Sequence, residues 1–200
     1  LIVVTSDHGE LFGEQGMYGE HAAAVEPDLL VPLILRMPSK IKAGLKIHEL
    51  VYSQDIIPTV WEYAKAKPNQ TDFASLWPLI KNSKKAIHPY LICDHGLYTS
   101  TRAIIQKDWK LFITYTPGYF GYQLYPPISL FHLKTDPHEE NDVKNKNPKK
   151  VKELLKLLEV WRAHNGITSE NDPMVALGNK GARTYDFPSF FVQTEINKLL

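Results

Sequence analysis

Two regimes of hydrophobic patterning divide the chain. Leu1-Ile2-Val3-Val4 is an apolar run without polar alternation, the pattern of a strand covered on both faces at the centre of an α/β sheet. A second buried strand is expected at Val31-Pro32-Leu33-Ile34-Leu35-Arg36, with Pro32 near its start, where a missing N–H is tolerated. The glycine-rich stretch from Gly13 to Gly19 between them allows backbone to approach a ligand closely. Ser53 or Asp55 caps a helix running to about Ala66, with Pro58 in its first turn and Ile56, Ile57, Val60 and Ala64 expected on its inner side.

From Pro89 the pattern shifts to short strands: Tyr90 to Cys93, Thr101 to Gln106, Leu111 to Tyr115 and Leu130 to Leu133. Lys107-Asp108 reads as a hairpin turn, so the second regime predicts an antiparallel sheet. A helix follows, with Pro148 in its first turn and Val151, Leu154, Leu155, Leu158 and Trp161 in one stripe; Asn165-Gly166 stops it. Residues 167–200 carry no clear periodicity. The division predicts an α/β part over 1–86 and an α+β lobe with a tail over 87–200. A central strand at the very start also predicts that the chain is the C-terminal part of something longer, with an apolar edge prone to self-association as a homo-oligomer.

Composition narrows the picture. Among 200 residues, Lys+Arg 23 against Asp+Glu 22 leaves a formal charge of +1, which argues against a general nucleic-acid or anionic-membrane binder. Pro32 and Arg36 break the only long apolar run, so no membrane span is expected. Cys93 is the sole cysteine; it cannot form an internal disulfide, which slightly favours a reducing, cytoplasmic compartment, and it reads as a buried inert thiol. Asn69-Gln70-Thr71 matches a glycosylation triplet, a pattern common by chance.

The candidate chemistry begins where the first strand ends. In Thr5-Ser6-Asp7-His8-Gly9-Glu10, Asp7 offers a hard oxygen and His8 a borderline nitrogen, a pair suited to a divalent cation at the carboxyl end of a sheet strand. His21, just past the glycine-rich stretch, is a candidate cation, acid or further ligand for the same site. His48, His88, His95, His132, His138 and His164 have no ligand spacing and read as structural. Asp94-His95-Gly96 repeats the first triplet but lies among strands of the second regime, and reads as a coincidence. The sequence holds no Gly-x-Ser-x-Gly elbow, Walker loop or dinucleotide-binding glycine fingerprint.

Taken in order, four blocks resemble the C-terminal half of the sulfatase family, in the alkaline-phosphatase-like superfamily. Thr5 to Glu10 resembles the family's Ser-Asp-Asn/His-Gly metal motif, and Val31 to Arg36 with Ile41-Lys42-Ala43-Gly44 resembles the following strand and loop. Asp55-Ile56-Ile57-Pro58-Thr59 resembles Asp-x-x-Pro-Thr, and Leu130 to Glu140, with Asp136-Pro137-His138-Glu139, resembles Leu-Tyr-Asp-Leu-x-x-Asp-Pro-x-Glu. The resemblance implies an α/β fold, part of a three-layer sandwich with a small α+β C-terminal lobe containing an antiparallel sheet. It implies a sulfuric ester hydrolase acting on a small-molecule or glycan sulfate, with Asp7 and His8 holding a divalent metal, Ca²⁺ first and Mn²⁺, Mg²⁺ or Zn²⁺ as alternatives. His21 would contact the sulfate and the leaving group; Asp136 and Glu139 would be structural. The family's formylglycine nucleophile, from Cys/Ser-x-Pro-x-Arg, would lie upstream, since Met37-Pro38-Ser39-Lys40 only echoes that motif; these residues alone would then lack turnover. His8 in place of Asn keeps a phosphodiesterase, phosphonate monoester hydrolase or phosphoglycerol transferase as the second reading. A non-catalytic binding module is the third.

Overall fold

A computed structural model describes residues 1–66, 70–82, 86–96, 99–116 and 125–180. The glycosylation triplet at Asn69 falls partly outside them. In chain order the elements are β1 (Ile2–Thr5), β2 (Leu11–Phe12), β3 (Tyr18–Glu20), α1 (Glu26–Leu29), β4 (Leu33–Arg36), α2 (Ile56–Ala64), α3 (Trp77–Lys81), β5 (Leu91–His95), β6 (Ser100–Gln106), β7 (Trp109–Thr116), β8 (Ile128–His132), α4 (Pro148–His164) and α5 (Pro173–Lys180). They group into two compact units: Leu1–Asp7 with Val31–Leu91, and His8–Leu30 with Ile92–Leu200.

In the first unit β1 and β4 pair antiparallel, Thr5 opposite Leu33 and Ile2 opposite Arg36. The expected burial of both faces is not met among the described residues, since Ile2, Val4 and Ile34 are each more than half exposed. α2 also presents a different face from the one its apolar residues predict. Ile57 and Val60 are exposed, whereas Asp55 and Thr59 are buried. The reason is hydrogen bonding. Asp55 accepts from the Tyr52 and Ala74 N–H groups and pairs with His88 Nε2 at 2.8 Å, and Thr59 Oγ1 accepts from Leu76 N. These two polar side chains satisfy the backbone of the surrounding loops, so they take the inside.

The second unit is built on the sheet β5-β6-β7-β8, antiparallel where β6 meets β7 and β7 meets β8. Lys107, with φ 53°, turns the β6–β7 hairpin at the expected place. Strand alternation gives the sheet two faces. On one, Ile104, Leu111, Ile113, Tyr115, Ile128 and Leu130 pack with the α4 stripe Val151, Leu154, Leu155 and Leu158. α5 arises from a stretch without clear sequence periodicity; Met174 fixes it to this core, and Ser100 Oγ donates to the Met174 carbonyl at 2.7 Å. The fully buried Arg102 bonds Asp94 at 2.6 and 2.7 Å and Asp172 at 2.6 and 3.1 Å, while its guanidinium carbon lies 5.0 Å from the Trp161 ring. Burial raises the Asp172 carboxyl, but the Arg102 bond and charge more than reverse this and hold it below the usual range.

The opposite face of the sheet carries the excursion His8–Leu30. Thr99 Oγ1 donates to the Ala22 carbonyl, and Ala24 N donates to Thr101 Oγ1 at 2.9 Å. Lys110, buried on β7, reaches Glu26 at 3.0 Å and Glu139 at 2.7 Å, and Glu139 also accepts from Glu26 N. Asp136 accepts from Glu140 N and Asn141 N, closing the turn before α4. Glu139 therefore ties α1 to the sheet, while Asp136 sets the turn.

Candidate functional site

The excursion leaves β1 through Gly9, and its geometry depends on that residue having no side chain. A Cβ on Gly9 would meet the Pro27 carbonyl oxygen at 1.8 Å, and Gly9 N donates to Asp28 O at 2.9 Å. This clasp draws the two ends of the excursion together. Within it, Leu11–Phe12 and Tyr18–Glu20 form a short hairpin across the glycine-rich stretch, with Gly13 and Gly19 at positive φ. His21 follows the hairpin and returns to His8.

The two rings stack with centroids 4.0 Å apart and 23° between their planes. His8 Nδ1 lies 2.7 Å from the Gly9 carbonyl, and His21 Nδ1 lies 3.9 Å from Glu10 Oε2. One ligand atom from each of His8, Glu10 and His21 lies within 4.8 Å of the others. His21 Nδ1 and Glu10 Oε1 are buried without a hydrogen-bond partner among the described residues. Two imidazoles and a carboxylate, with unsatisfied buried atoms on His21 and Glu10, are chemically suited to a divalent cation. Asp7, with Ser6 Oγ 3.3 Å from its Oδ1, ends the first segment of the first unit and precedes His8 by one peptide bond.

Three further groups escaped the sequence reading as site residues. Glu10 was visible in the motif without an assigned role. Asp28 is 5% exposed and accepts from Ala23 N; burial pushes its carboxyl up to about 6, against the pull of that bond and of His21. His95, read from sequence as structural, stands near enough to His21 and His8 for their charges to act on it. Burial foremost, and then those charges, bring its imidazole down to about 4. Its Nε2 is buried without a partner among the described residues. The repeated Asp-His-Gly triplet thus has two separate roles, because alternation sends Asp94 to Arg102 and His95 to the opposite face. Cys93 shares the face of His95; burial raises its thiol to about 11, as befits an inert residue. Among the remaining histidines, His88 is held by Asp55 and His132 packs against Trp109 and Thr135.

Comparison with known proteins agrees with this architecture. The family model described as "N-sulphoglucosamine sulphohydrolase, C-terminal" matches residues 13–163. An N-acetylglucosamine-6-O-sulfatase of Bacteroides thetaiotaomicron is 29% identical over 86% of this chain and 31% of its own length. Human arylsulfatase K is 33% identical over 74% of this chain and 28% of its own. A structure solved in complex with its substrate D-glucosamine-2-N,6-O-disulfate superposes with a TM-score of 0.71 at 28% identity, over 86% of this chain and 35% of that one. The phosphonate monoester hydrolase of Agrobacterium radiobacter shares the fold with a TM-score of 0.62 at 19% identity.

The fold is α/β, the C-terminal part of the alkaline-phosphatase-like architecture found in sulfatases. Within that class, the chain belongs to the N-sulphoglucosamine sulphohydrolase C-terminal family. It spans about a third of the length of the curated relatives it matches. Among the described residues, no helix is long and apolar enough to cross a membrane.

Proposed function

We propose that the whole protein is a metal-dependent sulfuric ester hydrolase acting on a sulfated amino sugar, and that this chain supplies the metal and leaving-group side of its site. The observation that carries the reading is the convergence of His8, Glu10 and His21 on one point of the excursion. The sulfated-sugar relatives support the substrate class. By the family resemblance, Asp7 and His8 would hold the ion, Ca²⁺ first, with Mn²⁺, Mg²⁺ and Zn²⁺ kept open by the imidazole of His8. When bound, the ion would neutralise charge on the ester's non-bridging oxygens.

His21 works beside it. Stacking on His8 and the proximity of Glu10 fix the ring, and its protonated form can donate to the bridging oxygen as the sulfur–oxygen bond breaks, so that the alcohol leaves neutral. The attacking group, a formylglycine by the family resemblance, would come from residues outside these 200, which contain no Cys/Ser-x-Pro-x-Arg.

The test uses the full-length protein, stripped with a chelator and reloaded with each of the four metals. It is assayed on glucosamine-6-sulfate, an aryl sulfate and an aryl phosphodiester. Metal-restored sulfate release supports the reading. Cleavage of the diester with both sulfates inert would transfer the assignment to phosphoester chemistry, the alternative favoured by His8 and by the fold shared with the phosphonate monoester hydrolase.

A further inference from the structure

β5 ends with its side chains committed to opposite faces. Ile92 packs toward the α4 core and Asp94 is held by Arg102 at 2.6 and 2.7 Å, so His95 is delivered to the face that carries His8 and His21. The next residue lies close to α5. A Cβ on Gly96 would come 2.7 Å from Leu177 Cδ1, so the strand end is pressed against α5. His95 is thus presented from the end of a sheet strand whose preceding residue, Asp94, is held by Arg102.

Its chemistry differs from that of its neighbours. Nε2 is buried and unpartnered among the described residues, a state that native structures rarely leave unanswered. The ring is half-buried, and that burial holds the imidazole below its usual range, in the neutral form. A neutral imidazole has one donor and one acceptor, which matches an uncharged hydroxyl better than a sulfate. The groups suited to an anion or a metal are already present in His8, Glu10 and His21.

We propose that His95 is a specificity-determining residue whose Nε2 hydrogen-bonds a hydroxyl on the sugar part of the sulfate ester. This rests on the ester-hydrolase reading above and names the part of the substrate that the C-terminal sheet recognises. A contact to the alcohol moiety discriminates only between substrates that have the hydroxyl and those that lack it.

The experiment compares the metal-loaded full-length protein with its His95→Ala and His95→Gln variants on glucosamine-6-sulfate and on 4-nitrophenyl sulfate, which has no sugar hydroxyl. Expected is a loss of roughly 10- to 100-fold in kcat/KM on the sugar for His95→Ala, a change of less than about twofold on the aryl ester, and partial recovery with Gln. Equal losses on both substrates, or none on either, overturn the contact while leaving the hydrolase reading standing. An unsubstituted protein inert to both sulfates overturns that reading and this contact with it.

Discussion

At the scale of single residues, Asp28 and His95 respond to acid in opposite directions. Burial raises the Asp28 carboxyl to about 6, so the folded state holds a proton that the unfolded chain releases near 3.8. The stabilisation this gives is complete below the unfolded value and is lost as pH rises through about 6. His95 falls from 6.5 to about 4, so its contribution is present above the unfolded value and disappears as pH falls toward 4. Between pH 6.5 and 4 the two partly cancel. In Asp28→Asn, Tm should therefore fall more steeply on acidification than in the parent, and in His95→Gln less steeply; scanning calorimetry across that window checks both slopes. Gly9 gives a sharper outcome, since Gly9→Ala forces the 27–28 backbone away and should disturb His8 and His21 together, seen as shifted imidazole resonances in NMR. A strand end and a glycine-rich turn flag Asp7, His8 and His21 in sequence as candidates. Nothing local flags Asp28 and His95, whose burial depends on the fold.

At the scale of elements, periodicity was informative wherever an apolar face decides the packing. The α4 stripe and the β6–β7 hairpin lie where the pattern puts them, and truncating the centre of the stripe with Leu154→Ala should cost about 2–5 kcal/mol in chemical denaturation. α2 was legible as a helix but not in orientation, since the partners of Asp55 and Thr59 come from residues 52 to 88 and no local pattern announces them. Arg102 poses the same difficulty within a strand. Its buried bonds to Asp94 and Asp172 join β5, β6 and the approach to α5, so Arg102→Met should destabilise the fold by roughly 3–5 kcal/mol through the carboxylates left without a partner. The same change should loosen the end of β5, and hydrogen exchange at Cys93–His95 would reveal it.

At the scale of the whole molecule, the order of the four sequence blocks was enough to reveal the family, while the grouping of residues 8–30 with the second unit emerged only in three dimensions. The first unit exposes Ile2, Val4 and Ile34 on one sheet and Ile57 and Val60 on α2. Such apolar exposure predicts concentration-dependent association of this chain by itself, reduced in a Val4→Lys, Ile34→Lys double variant and measurable by light scattering. The clasp between Gly9 and Asp28 has a different consequence. Because it brings the ends of the excursion together, and Thr5 is registered opposite Leu33, the span between the ends can lengthen or shorten without shifting the pairing of the strands that flank it. Insertions there would leave the ladder intact while reshaping the surface beside His21.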